Sequence, residues 1–190
     1  MKNFKIAILL FLSLTILTGV IYPFLITGIA QVAFHHKANG SLIERDGKII
    51  GSELIGQKFD SLAYFWSRPS TVDYSPLPSG GSNYGPTSNA LKKLVVERRT
   101  KFASVNGIKD TTAIPSEMLF ASASGLDPHI SPKAAMMQVD RIARVRGFDA
   151  TGKKQLVSLI RSRTEKLQFG LLGEERINVF LLNLDLDKIR

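Results

Sequence analysis

Ile6-Ala7-Ile8-Leu9-Leu10-Phe11-Leu12-Ser13-Leu14-Thr15-Ile16-Leu17-Thr18-Gly19-Val20-Ile21-Tyr22-Pro23-Phe24-Leu25-Ile26-Thr27-Gly28-Ile29-Ala30-Gln31-Val32-Ala33-Phe34 runs 29 residues without a charged side chain, between Lys2 and Lys5 on one side and His35, His36 and Lys37 on the other. As a helix rising about 1.5 Å per residue it reaches roughly 43 Å, against a bilayer hydrocarbon core of about 30 Å. A cleaved signal peptide has an apolar stretch of only about 7 to 15 residues, so the small-x-small step Gly28-Ile29-Ala30 does not displace the reading of a retained membrane anchor over residues 1–35. Positive charge close to a span marks its cytoplasmic side. Lys2, Lys5 and the amino terminus crowd the first five residues, whereas Glu44 and Asp46 dilute the bases beyond the span. The sequence therefore predicts a single-pass membrane protein with a cytoplasmic N-terminus and an extracytoplasmic remainder.

Within the span, Thr15, Gly19, Pro23, Thr27 and Gln31 recur every four residues. Residues four apart share a helix face, and lipid has no need of a face made of small and weakly polar groups. A neighbouring helix does, because small residues permit close approach. Pro23 frees a carbonyl in the preceding turn and is expected to bend the helix.

Residues 36–190 suit one domain with a single core. The formal charge is +9 for the chain and +7 once Lys2 and Lys5 are set aside. Such a basic domain next to a bilayer gains from anionic headgroups, about 1 kcal/mol per well-placed base. Nucleic acid is the competing partner, but no Arg-rich arm, zinc-ligand spacing or aromatic RNA-binding strand accompanies the charge. With three histidines and no cysteine the chain offers a poor metal site, and none is predicted. The absence of cysteine neither supports nor excludes an oxidising compartment.

The pattern of the domain reads as α+β, with a small sheet and about three helices. Ser41 to Ile50 alternates around Asp46-Gly47, a dipeptide favoured in tight type I′ hairpin turns. Thr87 to Val105 places Leu91, Leu94, Val95, Phe102 and Val105 on one helical stripe, on which Arg98 must snorkel or find an acid. A second helix has Ser131 as its cap, Pro132 in its first turn, Ala135, Val139, Ile142 and Ala143 inward, and Gly147 just past its end. Lys153 to Leu167 is the third, with Leu156, Leu159 and Ile160 inward. The apolar run Ile177 to Leu186 is expected to be a central strand. Between Ser67 and Pro86, which includes Pro69, Pro76 and Pro78, lies a long irregular loop, either functional or draped along a partner.

Three loops invite chemical readings. Ser79-Gly80-Gly81-Ser82-Asn83, continuing through Gly85-Pro86-Thr87 into a helix, offers backbone amides to an anion. It lacks the Gly-Lys-Ser/Thr ending of a phosphate loop, and a structural turn is the plainer reading. The stretch Ala121 to Pro132 holds Ser124, Asp127 and His129. A membrane-tethered hydrolase would use Ser124 as nucleophile and His129 as base. Sequence neighbours rarely form a triad, and the Gly-x-Ser-x-Gly elbow is missing. In Gly170 to Val179, Glu175 and Arg176 form either a surface pair or half of an interface salt bridge.

Taken in order, Gly51-Ser52-Glu53-Leu54-Ile55-Gly56-Gln57, Tyr64-Phe65-Trp66-Ser67-Arg68-Pro69-Ser70, Ser79 to Asn83 with Gly85-Pro86-Thr87, Ser122-Ala123-Ser124-Gly125-Leu126-Asp127-Pro128-His129-Ile130-Ser131, and Arg176-Ile177-Asn178-Val179 with Leu182-Asn183-Leu184 resemble the C subunit of the bacterial Kdp-type potassium-transporting ATPase. The span with Tyr22-Pro23 fits as well. One departure is Glu117-Met118-Leu119-Phe120, where the family more often has Asp-Leu-Val-Thr. The resemblance implies a non-catalytic accessory subunit of an ATP-driven, high-affinity potassium uptake pump. Its partners would be a potassium-conducting subunit, an ATP-hydrolysing subunit and the lipid bilayer. It further implies help with complex assembly and with ATP binding by the hydrolytic subunit, and makes Ser79, Gly80, Gly81, Ser82 and Asn83 a candidate ATP contact. The topology read above conflicts with that contact, since a domain outside the cytoplasm meets no ATP.

Overall fold

The computed structural model describes residues 2–189, which fall into two compact units divided after Ser52. The first opens with the apolar span as one continuous helical rod, Lys2–Ala33, long and apolar enough to cross a membrane and with no buried residue. It comprises α1 (Lys2–Ile16), a π-helical turn over Leu17–Ile21 and α2 (Tyr22–Ala33). In that turn the Tyr22 amide donates to Leu17 O, five residues back. Pro23 explains the turn's position: the ring has no N–H to give the Gly19 carbonyl and crowds it, so the backbone widens immediately upstream. A short helix, α3 (His35–Ala38), follows. The unit closes on an antiparallel hairpin of β1 (Leu42–Arg45) and β2 (Lys48–Ser52), with a bulge between Ile43 and Glu44. Asp46 and Gly47 both take positive φ, 53° and 73°, as a type I′ turn requires.

The second unit is helical with one small strand pair. Its elements are α4 (Asn89–Asn106), β3 (His129–Ile130), α5 (Pro132–Met136), α6 (Val139–Arg146), α7 (Ala150–Arg163), β4 (Ile177–Asn178) and α8 (Val179–Leu186). The whole is α+β, with more and shorter helices than the periodicity predicts. Capping sets the ends. Ser88, Ser131 and Asp149 accept from Leu91, Ala134 and Gly152 amides at 3.4, 3.1 and 2.7 Å, while Gly107 and Gly147 take left-handed φ past α4 and α6. Ile142, Leu156, Ile160, Leu182 and Leu186 are almost wholly buried between α6, α7 and α8, with Phe65 inserted from the long loop that precedes α4.

Two expectations are corrected. The run Ile177 to Leu186 is not a central strand: only Ile177–Asn178 pairs, and α8 begins at once. Asn178 supplies the reason, since its Oδ1 accepts from Leu181 N at 3.2 Å and caps the helix. The buried set Val179, Phe180, Leu182, Asn183 and Leu186 then follows a helical period. The helix over 132–146 is broken at Met137-Gln138, where the Gln138 amide bonds Ala135 O, three residues back. Of the two alternatives for Arg98, no ion pair is formed among the described residues; it donates to the Leu119 carbonyl at 2.9 Å, and burial lowers its pKa against the opposing charge of Glu97.

Candidate functional site

The segment Ser61 to Arg68 has almost no secondary structure, so its backbone groups need other partners. Side-chain amides provide them. Asn183, buried on α8, accepts from Phe65 N at 2.8 Å and donates to Phe65 O at 3.0 Å. Gln138 does the same for Trp66, at 2.7 and 3.4 Å. Arg141 supports the clamp from below, donating to Gln138 Oε1 at 2.7 Å, to Asn106 Oδ1 at 2.9 Å and to the Leu62 carbonyl, with its guanidinium 4.9 Å from the Trp66 ring centre. It is 1% exposed and has no carboxylate partner among the described residues. Burial, then repulsion from Arg144, pulls its pKa down to about 10. Neutral acceptors and an aromatic face carry this cation, a costly arrangement that holds only while every donor is matched. The sequence pattern marks neither Gln138 nor Arg141 and marks Asn183 only within Leu182-Asn183-Leu184, although Gln138 lies on the Ala135, Val139, Ile142 stripe and a polar residue there is the available signal.

The clamped segment presents Arg68 to the loop Ser122 to Ser131. Its Nη1 lies 2.5 Å from Asp127 Oδ2, while Asp127 Oδ1 accepts from His129 N at 3.0 Å and faces His129 Nδ1 at 3.3 Å. Burial alone would raise the Asp127 pKa; the His129 hydrogen bonds and the Arg68 guanidinium outweigh it and lower the value to about 2. Asp127 is thus a fixed carboxylate that orders the turn into β3. His129 then pairs with Asn178 and Ile130 with Ile177. Asn178 also donates to Glu53 O at 2.7 Å, and Gly56 N donates to Leu126 O at 2.7 Å. A side chain at Gly56 would meet the Asp127 carbonyl at 2.8 Å, which explains the glycine.

Ser124 does not join His129. Its Oγ accepts from Leu126 N at 3.1 Å, a local turn contact, and among the described residues no hydrogen bond links it to the imidazole. The nucleophile and base of the hydrolase reading are therefore not assembled.

The loop Ser79 to Asn83 packs on this same segment. Gly80 donates to Ser124 O at 3.0 Å and its carbonyl accepts from Thr71 Oγ1 at 2.8 Å; a Cβ on Gly81 would lie 3.1 Å from Ala123 O. Two carbonyl oxygens thus face the loop, and it holds no basic residue. α4 begins only at Asn89. The arrangement fits a packing turn and does not fit a phosphate cradle, where amides and cations must converge.

A cleft of about 760 Å³ opens beside Asp127 and His129, bounded by Glu117 on one side and by Glu165, Lys166 and Arg176 on the other. Glu117 accepts from Ser131 N at 3.2 Å. Arg176 pairs with Glu165 at 2.9 Å rather than with Glu175.

On the helical rod, Thr15 Oγ1 and Thr18 Oγ1 donate to the carbonyls of Phe11 and Leu14, at 2.8 and 2.7 Å. Gly19 has no atom within 4 Å of a built Cβ, and Thr27 is exposed. The Gln31 amide pairs reciprocally with that of Asn39 at 3.2 and 3.3 Å. Four of the five stripe positions are thus open along the rod, and the fifth is engaged by the chain's own Asn39.

Comparison with known proteins gives one consistent result. The family described as KdpC: K+-transporting ATPase, c chain, matches residues 4–188. The potassium-transporting ATPase KdpC subunit of Geobacter sulfurreducens (strain ATCC 51573 / DSM 12127 / PCA) is 51% identical over 193 residues, covering 100% of this chain and 99% of that protein. Its namesake in Geotalea uraniireducens (strain Rf4) is 50% identical over 193 residues, with the same coverage. That of Methylococcus capsulatus (strain ATCC 33009 / NCIMB 11132 / Bath) is 46% identical over 192 residues, again covering 100% and 99%.

Proposed function

This chain belongs to the K+-transporting ATPase c-chain family, and on that premise we propose that it is a non-catalytic accessory subunit of an ATP-driven potassium uptake pump, helping a potassium-conducting and an ATP-hydrolysing subunit assemble. The observation that carries this reading is the rod Lys2–Ala33, apolar along its length and without a buried residue. Lipid covers most of such a surface, and the face of Thr15, Gly19, Pro23, Thr27 and Gln31 suits a helix of another subunit. The engagement of Ser124 Oγ by Leu126 N, a local turn contact, favours the non-catalytic part, leaving ion translocation and nucleotide chemistry to the other subunits.

In this reading the rod crosses the cell inner membrane once. Lys2 and Lys5 keep the N-terminus in the cytoplasm, and the residues from 36 onward lie outside. ATP then stays with the hydrolytic subunit, and this chain aids its binding through assembly rather than through Ser79 to Asn83. Two measurements test the proposal. Detergent extraction of the tagged chain brings down the conducting and hydrolysing subunits; recovery of the chain alone would refute it. Protease added to spheroplasts cleaves the residues after the span and spares the N-terminus; full protection of those residues would reverse the orientation and return the nucleotide contact to consideration.

A further inference from the structure

A second pocket, of about 230 Å³, is lined by α4, Met118 and the irregular segment 58–74. Its lining is mostly apolar: Phe102 and Met118 belong to the core, at 3% and 4% exposure, and Phe59 and Trp66 are half-buried. Four cations line it as well, Lys58, Arg68, Arg98 and Lys101. Two of them are matched within the chain, since Lys58 pairs with Asp73 at 2.9 Å and Arg68 with Asp127. Arg98 and Lys101 stand one turn apart on α4, and among the described residues neither forms an ion pair. Arg98 gives one N–H to the Leu119 carbonyl, Lys101 Nζ lies 5.5 Å from the Trp66 ring centre, and the exposed Asp60 is the one further carboxylate of the lining. A guanidinium carries five donors, so the half-buried Arg98 keeps capacity for an anion. Its desolvation is not offset within the chain: burial lowers its pKa by more than the charge of Glu97 restores.

We infer that this pocket binds a small free organic acid, with its carboxylate held by Arg98 and Lys101 and its compact apolar body against Phe59, Trp66, Phe102 and Met118. Charge and size select that class together. A carboxylate accepts two parallel hydrogen bonds from one guanidinium, and Lys101 adds a second cation. The volume lies below the roughly 300 to 1,000 Å³ of drug-sized sites, so the occupant is one compact molecule and not a run of polypeptide. A bare phosphate or sulfate would leave the apolar lining unused, and a polyphosphate would be repelled by Asp60 and Asp73. The inference concerns this chain's own side chains and stands apart from the accessory-subunit reading.

Trp66 is the one tryptophan of the chain, which gives the pocket its own reporter. The test is titration of the full chain in detergent with benzoate, followed by Trp66 emission, with benzamide as the neutral match. The expected result is a saturable change with benzoate, none with benzamide, and a dissociation constant at least tenfold higher in Arg98→Gln and at least threefold higher in Lys101→Gln. Thermal unfolding shows whether Arg98→Gln keeps its fold; if it does not, the exposed Lys101 carries the comparison alone. No saturable change, an equal response to benzamide, or an affinity unchanged in the folded variants would each overturn the inference. So would radiolabelled benzoate that binds the isolated chain in equilibrium dialysis but not the assembled complex, because a carboxylate of another subunit would then be the pocket's occupant.

Discussion

Asn183 and Gln138 replace what a neighbouring strand would give to Phe65 and Trp66, one donor and one acceptor for each residue. Replacing Asn183 by leucine keeps the branched outline of the side chain and strands the buried Phe65 N–H and C=O, which costs about 2 to 4 kcal/mol. Thermal unfolding of the detergent-solubilised chain checks this, and a change below about 0.5 kcal/mol, as at an ordinary surface site, would contradict it. Asp127 gives a pH signature. Its folded pKa of about 2 lies below the ordinary aspartate value of about 3.9, so its contribution is complete above about pH 4 and is lost as pH falls toward 2. Asp127→Asn is therefore less stable than the parent at neutral pH, by about 1 to 2 kcal/mol after allowance for its partial exposure, and the difference closes on acidification. Urea unfolding at pH 6 and at pH 3 measures the change, with about half of the difference gone at the lower pH. Asp127 stood out in the sequence because a turn into a capped helix marks itself locally. Its partner Arg68 lies 59 residues away, a distance no local pattern spans.

Elements were legible where chemistry within a few residues decides them. Asp46-Gly47 fixes the hairpin, Ser131 and Gly147 bound the α5–α6 pair, and Leu156 with Ile160 turn α7 inward. The strand expected over Ile177 to Leu186 failed because a short apolar run has no period of its own; the cap at Asn178 and the pairing of Asn183 with Phe65 decide it, and the latter is a tertiary contact. The bend expected at Pro23 became a π-helical turn, since widening the backbone relieves the proline without breaking the rod. That turn holds Gly19, where a Cβ meets nothing in this chain. Gly19→Leu should therefore leave the isolated chain unchanged and weaken assembly several-fold, while Ile16→Leu should do neither. Blue-native electrophoresis of membranes carrying each variant reads the difference, and equal behaviour of the two would mean that the small-residue face contacts nothing.

At the scale of the whole molecule, four of the five segments whose order carries the family resemblance meet around the fifth, the loop Ser122 to Ser131. Gly56 reaches Leu126, Arg68 reaches Asp127, Gly80 reaches Ser124, and Asn178 pairs with His129. The motif most suggestive of chemistry is thus the hub that knits the second unit together, and its serine and histidine serve turns rather than each other. Ser124→Ala and His129→Ala should each cost at most about 1 to 2 kcal/mol of stability, and uptake should fall only as far as the amount of assembled complex falls. The decisive measurement is potassium-stimulated ATP hydrolysis per assembled complex, purified with each variant. The accessory-subunit account predicts turnover within about twofold of the parent for both, whereas a fully assembled complex that has lost turnover by orders of magnitude would show that this loop performs chemistry and would contradict it.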